Sequence, residues 1–227
     1  MGNNPQVIAH VIGSLKRLGH HGALQLQTDG ESCLVDLANQ IAAQRDTPTV
    51  VLRTPPHDSQ SNGLVERSVR SVEELSRVLK TDLERRVKCT VSVHDPIFSW
   101  LVRHSSMLLN WQQPGRDGCT PHERLRGKPY GGELVPFATK VLYKLQNKPR
   151  GGVMSVRWTP GLWIGKAQSS DEHIIWDLTG RDARCARSIR VLEDVTLEEH
   201  LRAVTSRPLS QDTGLRLRPL QETTPGG

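Results

Sequence analysis

Two short strand-like runs flank a helix-like stretch in the first quarter of the chain, and this order is the strongest constraint on its fold. Leu24-Gln25-Leu26-Gln27-Thr28-Asp29-Gly30 alternates apolar and polar residues with the period of a strand, and Thr49-Val50-Val51-Leu52-Arg53-Thr54 is β-rich. Between them, from Cys33 to Arg45, Leu34, Leu37, Ala38 and Ile41 recur at helical spacing, and Pro48 closes the link to the second strand. Two strands joined by a helical crossover pair in parallel, so the order predicts an α/β unit rather than a hairpin.

The flanking segments extend this pattern. Residues 5–19 carry an apolar stripe at Val7, Ile8, Val11, Ile12 and Leu15, a helix stopped at Gly19. After the extended loop 54–62, a long helix is predicted from about Gly63 to Val87. Its Val65, Val69, Val72, Leu75, Leu79 and Leu83 form a stripe expected to be buried, and Glu66, Arg70, Glu73, Arg77 and Lys80 lie on another face. Pro96 to Trp111 is a further helix expected to pack on the sheet, with Phe98, Trp100 and Trp111 in the core. A short helix starts at Thr120-Pro121 and ends at Gly127-Lys128-Pro129.

From about Val135 the period changes. Four short β-rich segments, 138–145, 157–167, 172–178 and 185–191, are separated by Gly, Ser, Thr and Asp clusters, a spacing that predicts a small antiparallel barrel. After Leu201 the chain is rich in Pro, Thr, Arg and Gly and reads as a disordered tail. The expected division is residues 1–133, residues 134–196 as the small basic barrel, and residues 197–227 as tail.

Charge narrows the partners. Residues 138–192 hold ten Lys or Arg against four acids, a net +6, whereas residues 1–137 carry +2 and residues 193–227 carry −2. A local cationic excess suits a phosphate backbone, and a soluble basic surface with no such partner is the alternative. Arg157, Lys166, Arg187 and Arg190 are the expected phosphate contacts. Trp158, Trp163 and Trp176 stand among them, either as core or as contact residues. No apolar run approaches the roughly 20 residues needed to span a bilayer, so no membrane partner is expected. Cys33, Cys89, Cys119 and Cys185 lie far apart, without the spacing of a zinc site, and favour an intracellular setting.

The residues with catalytic potential are two acids. Asp29 ends the first strand and Glu66 begins the long helix. Phosphoryl transfer on nucleic acid needs charge neutralisation at both the attacking and the leaving oxygen, which two hard divalent cations held by carboxylates supply. Asp29 and Glu66 are the candidate catalytic and metal-binding residues. Taken alone, a strand-end Asp more often caps the helix that follows it.

Two local words bear on that choice. Thr28-Asp29-Gly30 followed by a helix, then Gln60-Ser61-Asn62-Gly63 leading to Glu66-Arg67 at a helix start, resemble retroviral and retrotransposon integrases. The later Thr120-Pro121-His122-Glu123, Gly127-Lys128-Pro129 and Arg157-Trp158…Gly161-Leu162-Trp163-Ile164-Gly165 resemble the downstream part of copia-type integrases. The resemblance implies a partial ribonuclease H-like core, a DNA-binding barrel and metal-dependent DNA integration with Mg²⁺ or Mn²⁺. It further implies a DNA partner, a homo-oligomer and a nuclear location. By position, Asp29 and Glu66 match the second and third acids of the family, Gln60 and Asn62 a loop touching the DNA end, and Arg70 a basic position near DNA. No Asp or Glu precedes Asp29. The chain therefore reads as a truncated integrase, inactive by itself. A non-catalytic nucleic-acid-binding protein of retrotransposon origin is the alternative.

Overall fold

The computed structural model describes residues 4–54, 63–144, 157–168, 170–180 and 182–192. It mixes helices with two sheets. α1 (Pro5–Arg17) begins at Asn4, whose side chain accepts the Gln6 N–H. β1 (Leu24–Thr28), α2 (Ser32–Gln44) and β2 (Thr49–Arg53) follow. β1 and β2 pair in parallel with Leu24 opposite Thr49 and Thr28 opposite Arg53, as the strand–helix–strand order predicts. α2 packs on this pair and α1 on α2, around buried Ile8, Val35, Ala38 and Ile41. The other face of the pair carries Val50 at 53 % exposure beside Leu52.

α3 (Gly63–Val87) lies along α4 (Pro96–Gln112). Its expected stripe is buried only in part. Leu83 and Val87 enter the core, but Val65 and Val69 remain 65 % and 51 % exposed. The cause is the length of its partner surface: α3 packs on α4 and has no extensive contact with β1 or β2, so residues 64–70 stand in solvent. α4 turns Ile97, Leu101, His104, Ser105 and Met107 inward, while Phe98, Trp100 and Trp111 are half-buried rather than core. α5 (Pro121–Arg126) has the capping box its sequence advertises, with Thr120 and Glu123 satisfying each other's backbone N–H, and Gly127 ends it at φ +72.

The β-rich half is a five-stranded antiparallel sheet in the order β6-β5-β4-β3-β7. Its strands are β3 (Thr139–Lys144), β4 (Trp158–Lys166), β5 (His173–Asp177), β6 (Ala183–Ala186) and β7 (Ile189–Val191). The expected small antiparallel barrel is seen as an antiparallel sheet that is not closed among the described residues. The last predicted strand divides at Arg187-Ser188 into β6 and β7, which occupy opposite edges and share no ladder. Three peptide steps from Ala186 to Ile189 reach at most about 11 Å. In a flat sheet those edges would be separated by four strand spacings, about 19 Å. The sheet therefore curls strongly, yet its ladder stays open.

One core joins the sheet to the helices before it. Leu83 and Val87 of α3, Val91, and Ile97 and Leu101 of α4 pack with Phe137, Leu162, Ile164 and Ile174. Strand alternation sends Leu162 and Ile164 into this cluster and Trp163 into a second one with Met107, Val141, Tyr143 and Ile175, and the register with β5 shifts at a bulge between Trp163 and Gly165. The expected boundary at residue 134 thus runs through a continuous core. The expected tail, residues 197–227, lies outside the described residues.

Candidate nucleic-acid interface

Asp29 sits in the tight connection from β1 to α2. Its Oδ1 accepts the Glu31 N–H at 3.1 Å, and Gly30 takes φ +88. The carboxylate closes a turn just before α2, whose N-cap residue is Glu31 and whose first turn has no side-chain capping bond. Glu66 lies on the first turn of α3, within the exposed stretch 64–70. No hydrogen bond or ion pair joins the two acids among the described residues, and no group of three or more His, Cys, Asp or Glu side chains gathers there. A pair of ions bridged by carboxylates needs more donors than this pair offers. The side chains described do not make up a two-metal site. Gln60 and Asn62 lie outside the described residues. Arg70 is exposed, one turn beyond Glu66.

The basic sheet resolves into two populations. Its acids are Asp171, Glu172, Asp177 and Asp182, and all four are engaged. Lys166 donates to the Asp171 carbonyl at 2.9 Å and approaches its carboxylate at 3.3 Å. Arg184 lies 3.2 Å from Asp177 and 3.0 Å from Asp182. Arg187 lies 3.2 Å from Glu172. Lys166 is only 4 % exposed, so it is withdrawn from the surface and does not meet the expectation of a phosphate contact. Asp171 also accepts the Tyr130 hydroxyl at 2.6 Å. Tyr130 stacks on Trp111 with ring centroids 3.7 Å apart, and His122 meets both rings edge-on. Burial first, and then the Asp171 bond, raises the Tyr130 pKa. This network ties the stretch after α5 to the turn between β4 and β5.

The second population is Lys140, Lys144, Arg157 and Arg190, none of which has a carboxylate partner among the described residues. On β3, Val141 and Tyr143 are buried, so the intervening Lys140, Leu142 and Lys144 face the opposite side. Lys144 is opposite Trp158 on β4, and Leu142 lies between Pro160 of β4 and Arg190 of β7. The Arg190 guanidinium sits 4.4 Å from the centroid of the half-buried Trp158 ring. Pro160 marks where β4 leaves β5, since their ladder ends at Gly161 opposite Asp177. Residues 158–160 consequently pair with β3 alone. Lys140 and Lys144 were within reach of sequence reasoning: the alternation about Val141 and Tyr143 marks them. Net charge alone could not separate them from Lys166. Compared with known proteins, the chain matches no family model and no curated protein.

Proposed function

We propose that this chain binds nucleic acid, DNA in particular, through the β7–β3–β4 face around Trp158, and that it derives from a retrotransposon integrase without joining DNA strands by itself. One observation carries the reading. The four acids of the basic segment are taken up by Lys166, Arg184 and Arg187, whereas Lys140, Lys144 and Arg190 lie on one face with no carboxylate partner among the described residues, and Arg157 is exposed just before β4. Like charges gathered without counter-charges suit a polyanion. DNA as the polyanion rests on the resemblance at residues 59–67.

The test is the salt dependence of duplex binding. Each phosphate-neutralising cation contributes about −0.9 to the slope of log affinity against log salt. Replacing Lys140, Lys144, Arg157 and Arg190 together with Ala should flatten that slope by up to about 0.9 per residue and weaken all sequences alike. Arg187→Ala, which removes a cation already paired with Glu172, should change it little. A quadruple variant that binds duplex DNA as tightly as the parent at low salt overturns the reading.

The strand-transfer reading is favoured by one feature, the parallel β1–α2–β2 unit with Asp29 at its strand end, which suits a ribonuclease H-like core. It requires Mg²⁺ or Mn²⁺ and a donor set beyond Asp29 and Glu66. Residues 1–227 are expected to show no measurable strand transfer with either metal. Robust joining of labelled DNA ends that Glu66→Gln abolishes would reinstate catalysis.

A further inference from the structure

We propose that Trp158 is a positioning residue for Arg190, so that this face grips phosphates and offers no free ring for base stacking at Trp158; the proposal rests on the nucleic-acid reading of the face. Arg190 belongs to β7, an edge strand of three residues, and Trp158 to β4, with β3 between them. To reach the indole the side chain must cross β3 beside Leu142, and its guanidinium ends 4.4 Å from the ring centroid. An unpaired Arg on a short edge strand would otherwise sample many rotamers, and that freedom would be lost on gripping a phosphate. A planar guanidinium held against an aromatic face keeps its charge and its N–H fork while its freedom is already reduced. The same contact occupies the ring. Single-stranded nucleic-acid sites depend on aromatic faces open to bases. Here one face of the ring is covered by the Arg190 guanidinium, and Lys144 stands directly opposite Trp158 on β3, the pattern of a backbone clamp.

The experiment measures binding of the full chain to a fixed duplex and to an oligothymidine of equal length over a salt series. Arg190→Ala should lower the salt slope by about 0.9 on the duplex and about 0.7 on the oligothymidine. Trp158→Leu, which keeps an apolar side chain without the ring, should weaken both by about two- to fivefold, and Trp158→Phe should restore most of the loss. The double variant Trp158→Leu/Arg190→Ala should bind no more weakly than Arg190→Ala. Arg190→Lys, at an exposed position that leaves the fold intact, keeps the charge but replaces the planar fork with a compact ammonium, and should also bind more weakly than the parent. The proposal is overturned if Trp158→Leu and Arg190→Lys both bind like the parent while Arg190→Ala does not. It is equally overturned if Trp158→Leu adds its full loss to that of Arg190→Ala on oligothymidine, the mark of a stacked base. Unchanged binding in both Arg190→Ala and Lys144→Ala would instead remove the face itself as the interface.

Discussion

His104 shows how much of this molecule turns on single side chains. It projects from α4 into the core at 3 % exposure, tilted on Phe137 and edge-on to Trp163, both at 5.3 Å between centroids. Its Nδ1 has no hydrogen-bond partner among the described residues. Burial pushes its pKa down to about 4. In the unfolded chain His104 takes up a proton below about pH 6.5, whereas in the folded chain it does so only near 4, so acid favours the unfolded state. The stability it allows is complete above about 6.5 and is lost as pH falls towards 4, by about 3 kcal/mol at most. His173, also pushed down chiefly by burial, adds in the same direction. The urea midpoint should therefore fall between pH 7 and 4, and His104→Phe should fall less; equal falls in both would exclude His104 as the acid-sensitive group. The helical spacing of His104 to Ile97 and Leu101 was legible, although the core residues expected on this helix were Phe98, Trp100 and Trp111. The burial of His104 beside Trp163 was not legible, because that neighbour lies 59 positions away on another element. Lys166 makes the same point for charge: nothing local distinguishes it from Lys144, and only the turn that brings Asp171 back to it gives it a carboxylate partner, which Lys144 lacks among the described residues.

Elements were legible where a local signal and a tertiary partner agree. The parallel pairing of β1 and β2 follows from the helical crossover α2 between them, and the capping box of α5 is written in Thr120 and Glu123. The stripe on α3 was equally clear as periodicity, but periodicity reports a face and not its cover. Ser76 bonds Ser105 across the α3–α4 contact, and below that point Leu83 and Val87 find α4 and the sheet. Above it Val65 and Val69 find none. The segment 185–191 failed differently. As a run of β-formers it reads as one strand, yet β6 ends at Ala186 and β7 begins at Ile189 on the far edge. A two-residue interruption carries almost no compositional signal, and only the curl of the whole sheet explains why the chain can leave one edge and join the other there. That same curl places Arg190 across β3 from Trp158, which is why the interface could not be assembled from charge counts.

At the scale of the whole molecule, the packing moves the structural division away from residue 134. α1, β1, α2 and β2 pack among themselves, and the described residues up to Thr54 share no extensive contact with the rest. The shift from helical to β-rich composition near residue 134 looked like a domain boundary because each side has its own period. The core ignores it: Leu83, Val87, Ile97 and Leu101 lie on one side, with Leu162, Ile164 and Ile174 on the other. Cutting at 134 would bare those three sheet residues and the Met107 contact of Trp163. Fully burying one such side chain is worth about 1.5–3 kcal/mol, so three of them approach the roughly 5–15 kcal/mol that hold an ordinary domain together. Residues 134–196 alone should accordingly show no cooperative unfolding transition in thermal or urea melts followed by circular dichroism. Residues 63–196, which keep α3, α4 and the shared core, should melt cooperatively and retain the salt-dependent duplex binding of the parent. A cooperative transition from residues 134–196 would show that the sheet is stable without its helices. Loss of duplex binding in a folded 63–196 fragment would move the interface to residues before α3.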